Sequence, residues 1–195
     1  MRFSIFVGDI ADARAEALCT STNPRLSLMM GTGASIRHRG GPAVMRACEA
    51  LLAGRKRLPP GTAHPTTAGA LPNKAAIHCI ASDESHRSSE AIVRSCVAGA
   101  LGCADALGCS SIAMPIFGTG HARLRFATAA AVMARSAAET PSGVEHLIFV
   151  TNDEENVAPL RAILENVTGR PIDIERSQEE EPETDSYWSF SLDVD

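Results

Sequence analysis

The sequence predicts an α/β domain in three layers, with helices on both sides of a central mixed, mostly parallel sheet. Three observations predict it. Segments with strand character alternate with helical ones along most of the chain. The segment 15–22 is apolar at most positions, as expected of a strand covered on both faces. The order strand–helix–strand over 75–116, repeated over 111–151, supplies two crossover units, the connection that joins parallel neighbours.

Each element has its own signal. Residues 2–7 alternate in polarity, with Phe3, Ile5 and Val7 on one side, which is strand periodicity. Gly8-Asp9-Ile10 ends that strand. Residues 15–22 form the second, and Asn23-Pro24 closes it as a turn. The small-residue stretch from Leu28 to Ile36 reads as a loop running into a helix start, and Gly40-Gly41-Pro42 interrupts the helix. Pro42 suits the first turn of a new helix, where its missing N–H is not needed. Residues 43–53 then put Val44, Ala47, Cys48, Leu51 and Leu52 on one face. Short β-type segments at 64–69 and 75–81 flank the turn Leu71-Pro72-Asn73. Ser88 or Ser89 can cap a helix reaching to about Leu107, with Val93, Cys96, Val97, Ala100 and Leu101 in its apolar stripe. A strand at 111–116, a second small-residue loop at 117–123, an Ala-rich helix at 124–139 and a strand at 145–151 follow. Asn152 or Asp153 caps the last helix, lined by Val157, Leu160, Ile163 and Leu164. The domain is expected to end near Thr168.

Composition narrows the function classes. The chain has 195 residues and is 45% hydrophobic, enough for one globular core, but only 4% aromatic. The net charge is −5, with no basic block, which disfavours a nucleic-acid surface. The first residues read as a strand rather than a targeting signal, and the apolar stretches are too short to span a bilayer. The expectation is a soluble, cytoplasmic protein. Cys19, Cys48, Cys79, Cys96, Cys103 and Cys109 lack the spacing of metal sites and read as small buried hydrophobes, with no metal expected.

Beyond Thr168 the character changes. Ile172-Asp173-Ile174 could form a short edge strand. The run from Glu179 to Asp195 is acidic, and its composition favours a solvated tail. Residues 169–195 are therefore assigned to a largely disordered tail. The sharper alternative is a docking segment for a protein partner, because the chain's single Tyr187 and single Trp188 lie there.

Gly-Thr-Gly occurs twice, at 31–33 and 118–120, each time near a strand end and before a helix. Glycine lets a ligand approach the backbone closely, and helix N-termini present unpaired N–H groups with partial positive charge. Two such loops at one edge of a sheet would cradle an anion such as a pyrophosphate. The generic phosphate motifs are missing: no Walker string occurs, and Ile36 and Arg123 stand where the Rossmann pattern needs its third Gly. Taken alone, each Gly-Thr-Gly is more often a plain turn.

The pair in context resembles the macrodomain family from about residue 2 to residue 166. Gly8-Asp9-Ile10 resembles the family's Gly-Asp-Ile, and Glu16 to Asn23 the strand that ends in its Asn. Gly31 to Ile36 sits where its first phosphate loop belongs. The series from Gly61-Thr62-Ala63 through Leu71-Pro72 to Ile77-His78 is similar to the family's, as is the strand 111–116 with Phe117-Gly118-Thr119-Gly120. The resemblance implies an α/β/α sandwich that binds ADP-ribose, free or conjugated, as ligand or substrate and without a cofactor. It assigns Asp9 to the adenine amino group, with Ile10 beside it, and Asn23 to the distal ribose or a water. Gly31, Thr32, Gly33, Ala34 and Ser35 would wrap the proximal phosphate and distal ribose, and Phe117, Gly118, Thr119, Gly120, His121 and Ala122 would close from the other side. Asn152 stands where the family often places a residue over adenine. Each has a plainer reading: Asp9 as a cap, Asn23 as a turn former before Pro24, His121 as a bystander, Asn152 as a helix cap, and His78 as a core histidine.

The resemblance leaves enzyme or reader open. The family's commonest hydrolases carry Gly-Gly-Gly followed two places later by Asp; here Gly33 takes the acidic position, and Thr20 replaces the first of a paired Asn. Another branch reads Met-Gly-Ala-Gly, closer to Met30-Gly31-Thr32-Gly33, and takes its Asp from the second loop, where Ala122 stands. With both carboxylates absent, the expectation tilts toward an ADP-ribose reader. The alternatives are a hydrolase using Asn23 or His121, resting largely on substrate positioning, and a scaffold with a vestigial pocket.

Overall fold

A computed structural model describes residues 1–120 and 122–177. Among these, seven strands form one sheet: β1 (Arg2–Val7), β2 (Ala17–Thr22), β3 (Ala63–Thr66), β4 (Ala75–Ile80), β5 (Ser111–Pro115), β6 (His146–Thr151) and β7 (Asp173–Arg176). Their spatial order is β3-β4-β2-β5-β6-β1-β7. Every neighbouring pair is parallel except β3 with β4. The helices are α1 (Gly31–Gly40), α2 (Pro42–Leu52), α3 (Glu90–Ala106), α4 (Phe126–Glu139) and α5 (Val157–Thr168). The three-layer, mixed and mostly parallel arrangement read from the sequence is the one observed.

Strand alternation deals side chains to two cores. Phe3 and Ile5, Cys19, Ile77 and Cys79, Ile112 and Met114, and Leu147 and Phe149 face α3, α4 and α5. Phe6, Leu18, Ala76 and Ile80, Ala113, and Ile148 and Val150 face the layer of α1 and α2. Phe3 and Phe149 meet edge to face at 5.4 Å.

Several boundaries differ from expectation. The glycine-rich stretch assigned to a loop is the first turn of α1, which starts at Gly31 itself. Glycine's poor helix propensity is overridden by packing: a Cβ on Gly33 would stand 3.1 Å from Leu28 Cδ2 and would crowd that side chain. Ser89 is the cap of α3. Asp153, not Asn152, is the cap ahead of α5, accepting from Glu155 N at the head of a short 3-10 turn, Glu154–Asn156. The β-type segment at Ile172 falls one residue later and beyond the expected domain end at Thr168: β7 pairs with β1 through Ser4↔Asp173 to Val7↔Arg176, and Ser177 N continues the contact to Val7 O at 2.9 Å. The rest of the acidic tail, 178–195, lies outside the described residues, as does His121.

Two glycines pin α1 to the segment before β4. Ala70 N donates to Gly40 O at 3.0 Å. Gly69 has φ +69°, and a Cβ there would fall 1.9 Å from that same Gly40 oxygen.

His78 lies fully buried beneath α2. Its Nε2 is 2.8 Å from Thr66 Oγ1 and 3.5 Å from Cys48 Sγ, and its Nδ1 is 3.3 Å from Thr20 Oγ1. Burial, with a smaller effect of the neighbouring His64, pulls its pKa down to about 4. The unfolded chain then takes up a proton that the folded protein refuses. Stability should fall as pH drops from about 6.5, and His78 alone should cost about 3 kcal/mol once pH is below 4. His64 and His146, also lowered by burial, act with the same sign. Urea unfolding between pH 7.5 and 4.5 tests this: His78→Asn should be less stable at pH 7.5 yet lose visibly less on acidification than the native protein. Equal slopes for the two proteins would assign the loss elsewhere.

Candidate functional site

The carboxyl ends of the parallel strands open into a cleft of about 280 Å³. Open α/β sheets hold ligands at this end. Gly8, Asp9 and Ile10 follow β1; Gly31, Thr32 and Ser35 come from α1; Pro115, Ile116 and Thr119 follow β5; Val150, Thr151 and Asn152 close β6. Phe126, opening α4, and Asn156 complete the lining.

The first wall is built by a short turn. Gly8 has φ +150°, and a Cβ there would press 2.6 Å from Ser177 Oγ, so a side chain at the end of β1 would have to displace Ser177. Asp9 caps a 3-10 turn, Ile10–Asp12, its Oδ1 accepting from Ala11 N at 2.8 Å. Ser35 Oγ donates to the same oxygen, tying α1 to the end of β1. Oδ2 takes no hydrogen bond from the described residues, and Asp9 is exposed in the cleft.

The second wall is the N-terminus of α1. Met30 supplies no side-chain cap, and the first intrahelical bond is Ala34 N to Met30 O at 3.3 Å. The amides of Gly31, Thr32 and Gly33 therefore have no acceptor within the helix. The first turn holds no acidic residue, while Arg37, His38 and Arg39 occupy the last turn, so the positive end of the helix is left open to an incoming anion.

The third wall is the turn after β5. Phe117 is wholly buried and anchors it from below, its N–H directed at Met133 Sδ 3.1 Å away. Gly118 takes φ +77° and donates to Ser21 Oγ at 3.4 Å; a Cβ there would strike Ser88 Oγ at 2.7 Å. Thr119 Oγ1 donates back to Ile116 O at 3.0 Å. The backbone rather than any cation is what this wall presents. Among the described lining residues Asp9 is the sole ionisable side chain.

Of the residues singled out in the sequence, the cleft brings together Asp9, Ile10, Gly31, Thr32, Ser35, Thr119 and Asn152. Gly33 packs against Leu28, and Phe117 is core. Ala34, Gly118, Gly120 and Ala122 belong to the surrounding turns without lining the cleft. Asn23 also stands outside the lining; its Oδ1 accepts from Arg25 N at 3.0 Å and Ser27 N at 3.4 Å, closing the turn after β2. Sequence reasoning missed Pro115, Ile116, Val150 and Thr151, which abut the marked loops, and Phe126 and Asn156. The strand-end residues were legible in principle from their place just before a loop. Nothing local marks Phe126 or Asn156.

Comparisons with known proteins follow this geometry. The model of the family described as "Macro domain" matches residues 19–133. The chain is 36% identical over 151 residues to a macro domain-containing protein of Streptomyces nogalater, covering 75% of this chain and 82% of that protein. It is 29% identical to an O-acetyl-ADP-ribose deacetylase of Citrobacter rodentium, covering 84% of this chain and 95% of that one. Among solved structures, a mutant Oceanobacillus iheyensis macrodomain with ADPR superposes with TM-score 0.75 at 24% identity, over 85% of this chain and 93% of that one. The Trypanosoma brucei macrodomain in complex with ADP-ribose follows at 0.71 and 18% identity, over 82% and 67%.

Proposed function

Because the chain belongs to the macrodomain family, we propose that its cleft binds ADP-ribose, free or attached to another molecule. One observation carries the reading. Gly31 and Thr32 of the first Gly-Thr-Gly, and Thr119 of the second, border the same cleft as the exposed carboxylate of Asp9. Adenine lies at the Asp9, Ile10 and Asn152 end, with its amino group donating to Asp9. The pyrophosphate lies against the open amides of Gly31 and Thr32 at the start of α1 and the backbone at Thr119, which replace cations as anion donors. The Oceanobacillus iheyensis and Trypanosoma brucei macrodomains, of the same fold, carry this ligand. No cofactor is required. The described cysteines are all unpaired thiols, in keeping with a reducing, cytoplasmic setting.

The reader reading is favoured because Asp9, the one carboxylate among the described lining residues, already serves as a cap at the adenine end and is poorly placed to activate water. Hydrolysis of an ADP-ribosyl or acetyl-ADP-ribose ester is the second reading, favoured by the likeness to the Citrobacter rodentium deacetylase. It would use Asn23, whose turn would have to open, or His121.

Titration calorimetry with ADP-ribose tests the binding step. The expected result is saturable one-to-one binding, and no heat at millimolar ligand would leave a scaffold. Incubation with O-acetyl-ADP-ribose and with Glu-linked, Arg-linked and DNA-linked ADP-ribose separates reader from enzyme. The expected result is retention without release; catalytic release of free sugar would establish the second reading.

A further inference from the structure

The family resemblance assigns Ser35 to phosphate and ribose, but its hydroxyl meets a different group. Ser35 lies one turn into α1, half-buried, and lines the cleft together with the exposed Asp9. Its Oγ donates to Asp9 Oδ1, the oxygen that also accepts from Ala11 N at 2.8 Å. Two donors from two different elements, α1 and the 3-10 turn after β1, therefore converge on one carboxylate oxygen. Oδ2 receives none from the described residues.

That arrangement decides where the carboxylate points. The second side-chain torsion of aspartate is broad, so a backbone donor at Oδ1 alone leaves the carboxylate plane free to turn about the held oxygen. A second donor, carried by a helix, removes that freedom. An ionised carboxylate has room for about four hydrogen bonds, and with two taken at Oδ1 the open lone pairs lie on Oδ2. A purine amino group needs its acceptor at a fixed place, because a hydrogen bond weakens steeply as it bends. The fold itself does not depend on the Ser35 hydroxyl. One turn further along α1, Arg39 pairs with Asp12 in the same 3-10 turn, and Ile36 and Ile10 are buried in the core on this side of the sheet. These contacts hold α1 against the turn by themselves.

We infer that Ser35 is the positioning residue of the base-reading carboxylate: its hydroxyl fixes Asp9 so that Oδ2 meets the purine amino group, and it thereby sets the preference for adenine. The inference rests on the ADP-ribose reading above. It differs from a direct ligand contact in what it protects. A hydroxyl bound to phosphate or ribose would serve every ligand with that backbone, whatever its base. A hydroxyl that aims Asp9 serves only a base that carries the amino group.

Calorimetry on the full chain with ADP-ribose and with its hypoxanthine counterpart tests this. Ser35→Ala should weaken ADP-ribose binding about fivefold to tenfold and leave the hypoxanthine ligand within about twofold, so the preference for adenine shrinks by nearly the whole loss. Ser35→Thr keeps the hydroxyl and should restore most of that preference. In an Asp9→Ala background, Ser35→Ala should change the affinity for ADP-ribose by less than about twofold, because the carboxylate it aims is gone. Equal losses for the two ligands would make the hydroxyl a phosphate or ribose contact and overturn the inference. So would an unchanged preference in Ser35→Ala, or a loss that persists in the Asp9→Ala background. A native protein that binds both ligands alike overturns the inference while leaving the ADP-ribose reading in place; one that binds neither ends both.

Discussion

Gly69→Ala is expected to destabilise the protein by about 3 kcal/mol or more, a large share of the stability of a typical domain. Two costs combine. At φ +69° any residue with a Cβ is strained, and here the Cβ would fall 1.9 Å from the Gly40 carbonyl oxygen. That oxygen is backbone and accepts from Ala70 N, so it cannot swing aside without breaking the contact that holds α1 against the approach to β4. Gly54→Ala is the control. Gly54 has nearly the same φ, +73°, but nothing stands within 4 Å of its Cβ position. It should lose only about 1 kcal/mol, the cost of the left-handed conformation alone. Urea midpoints of the two variants measure the difference, and equal losses would show that the close approach to Gly40 matters little.

Asp9→Ala should weaken ADP-ribose binding by about 1–3 kcal/mol, roughly 5-fold to 150-fold. The substitution removes the oxygen proposed to accept the adenine amino group. It also removes the cap on Ala11 N and the tether to Ser35, so some loss of stability accompanies it. A ligand comparison separates the two effects. Replacing adenine by hypoxanthine turns the amino donor into a carbonyl acceptor facing a carboxylate. The native protein should therefore reject the hypoxanthine analogue, and Asp9→Ala should bind both ligands with nearly equal affinity. If the variant still discriminates against hypoxanthine as strongly as the native protein, Asp9 only shapes the wall. Asp9→Asn keeps the cap and should retain the stability while reducing the affinity.

Periodicity made the layers legible. Strands such as 2–7 and 75–81 and the stripe of α3 reflect burial on one or both faces, and burial leaves its mark on every second or every third and fourth residue. What escaped was set by packing and hydrogen bonding that propensity does not report. Gly31 and Gly33 look like loop residues because propensity disfavours them in helices, yet Leu28 packs against Gly33 and α1 begins there. Asn152 and Asp153 are equivalent as caps on paper; the turn to Glu155 N chooses Asp153 and leaves Asn152 for the cleft. Asp9, Gly31, Thr32 and Thr119 could be named because their motifs are local. Phe126 and Asn156 reach the cleft only because α4 and the turn before α5 start at its rim.

The sheet's two flanks are unlike, and this bears on self-association. On the far side from β7, β3 runs against its neighbours and carries Pro65, a residue with no N–H to share with an approaching chain. Fibre growth by edge stacking demands a receptive flank at each end of every copy. Among the described residues only β7 offers such a flank, so two copies meeting there would satisfy each other and stop, a closed pair rather than a filament.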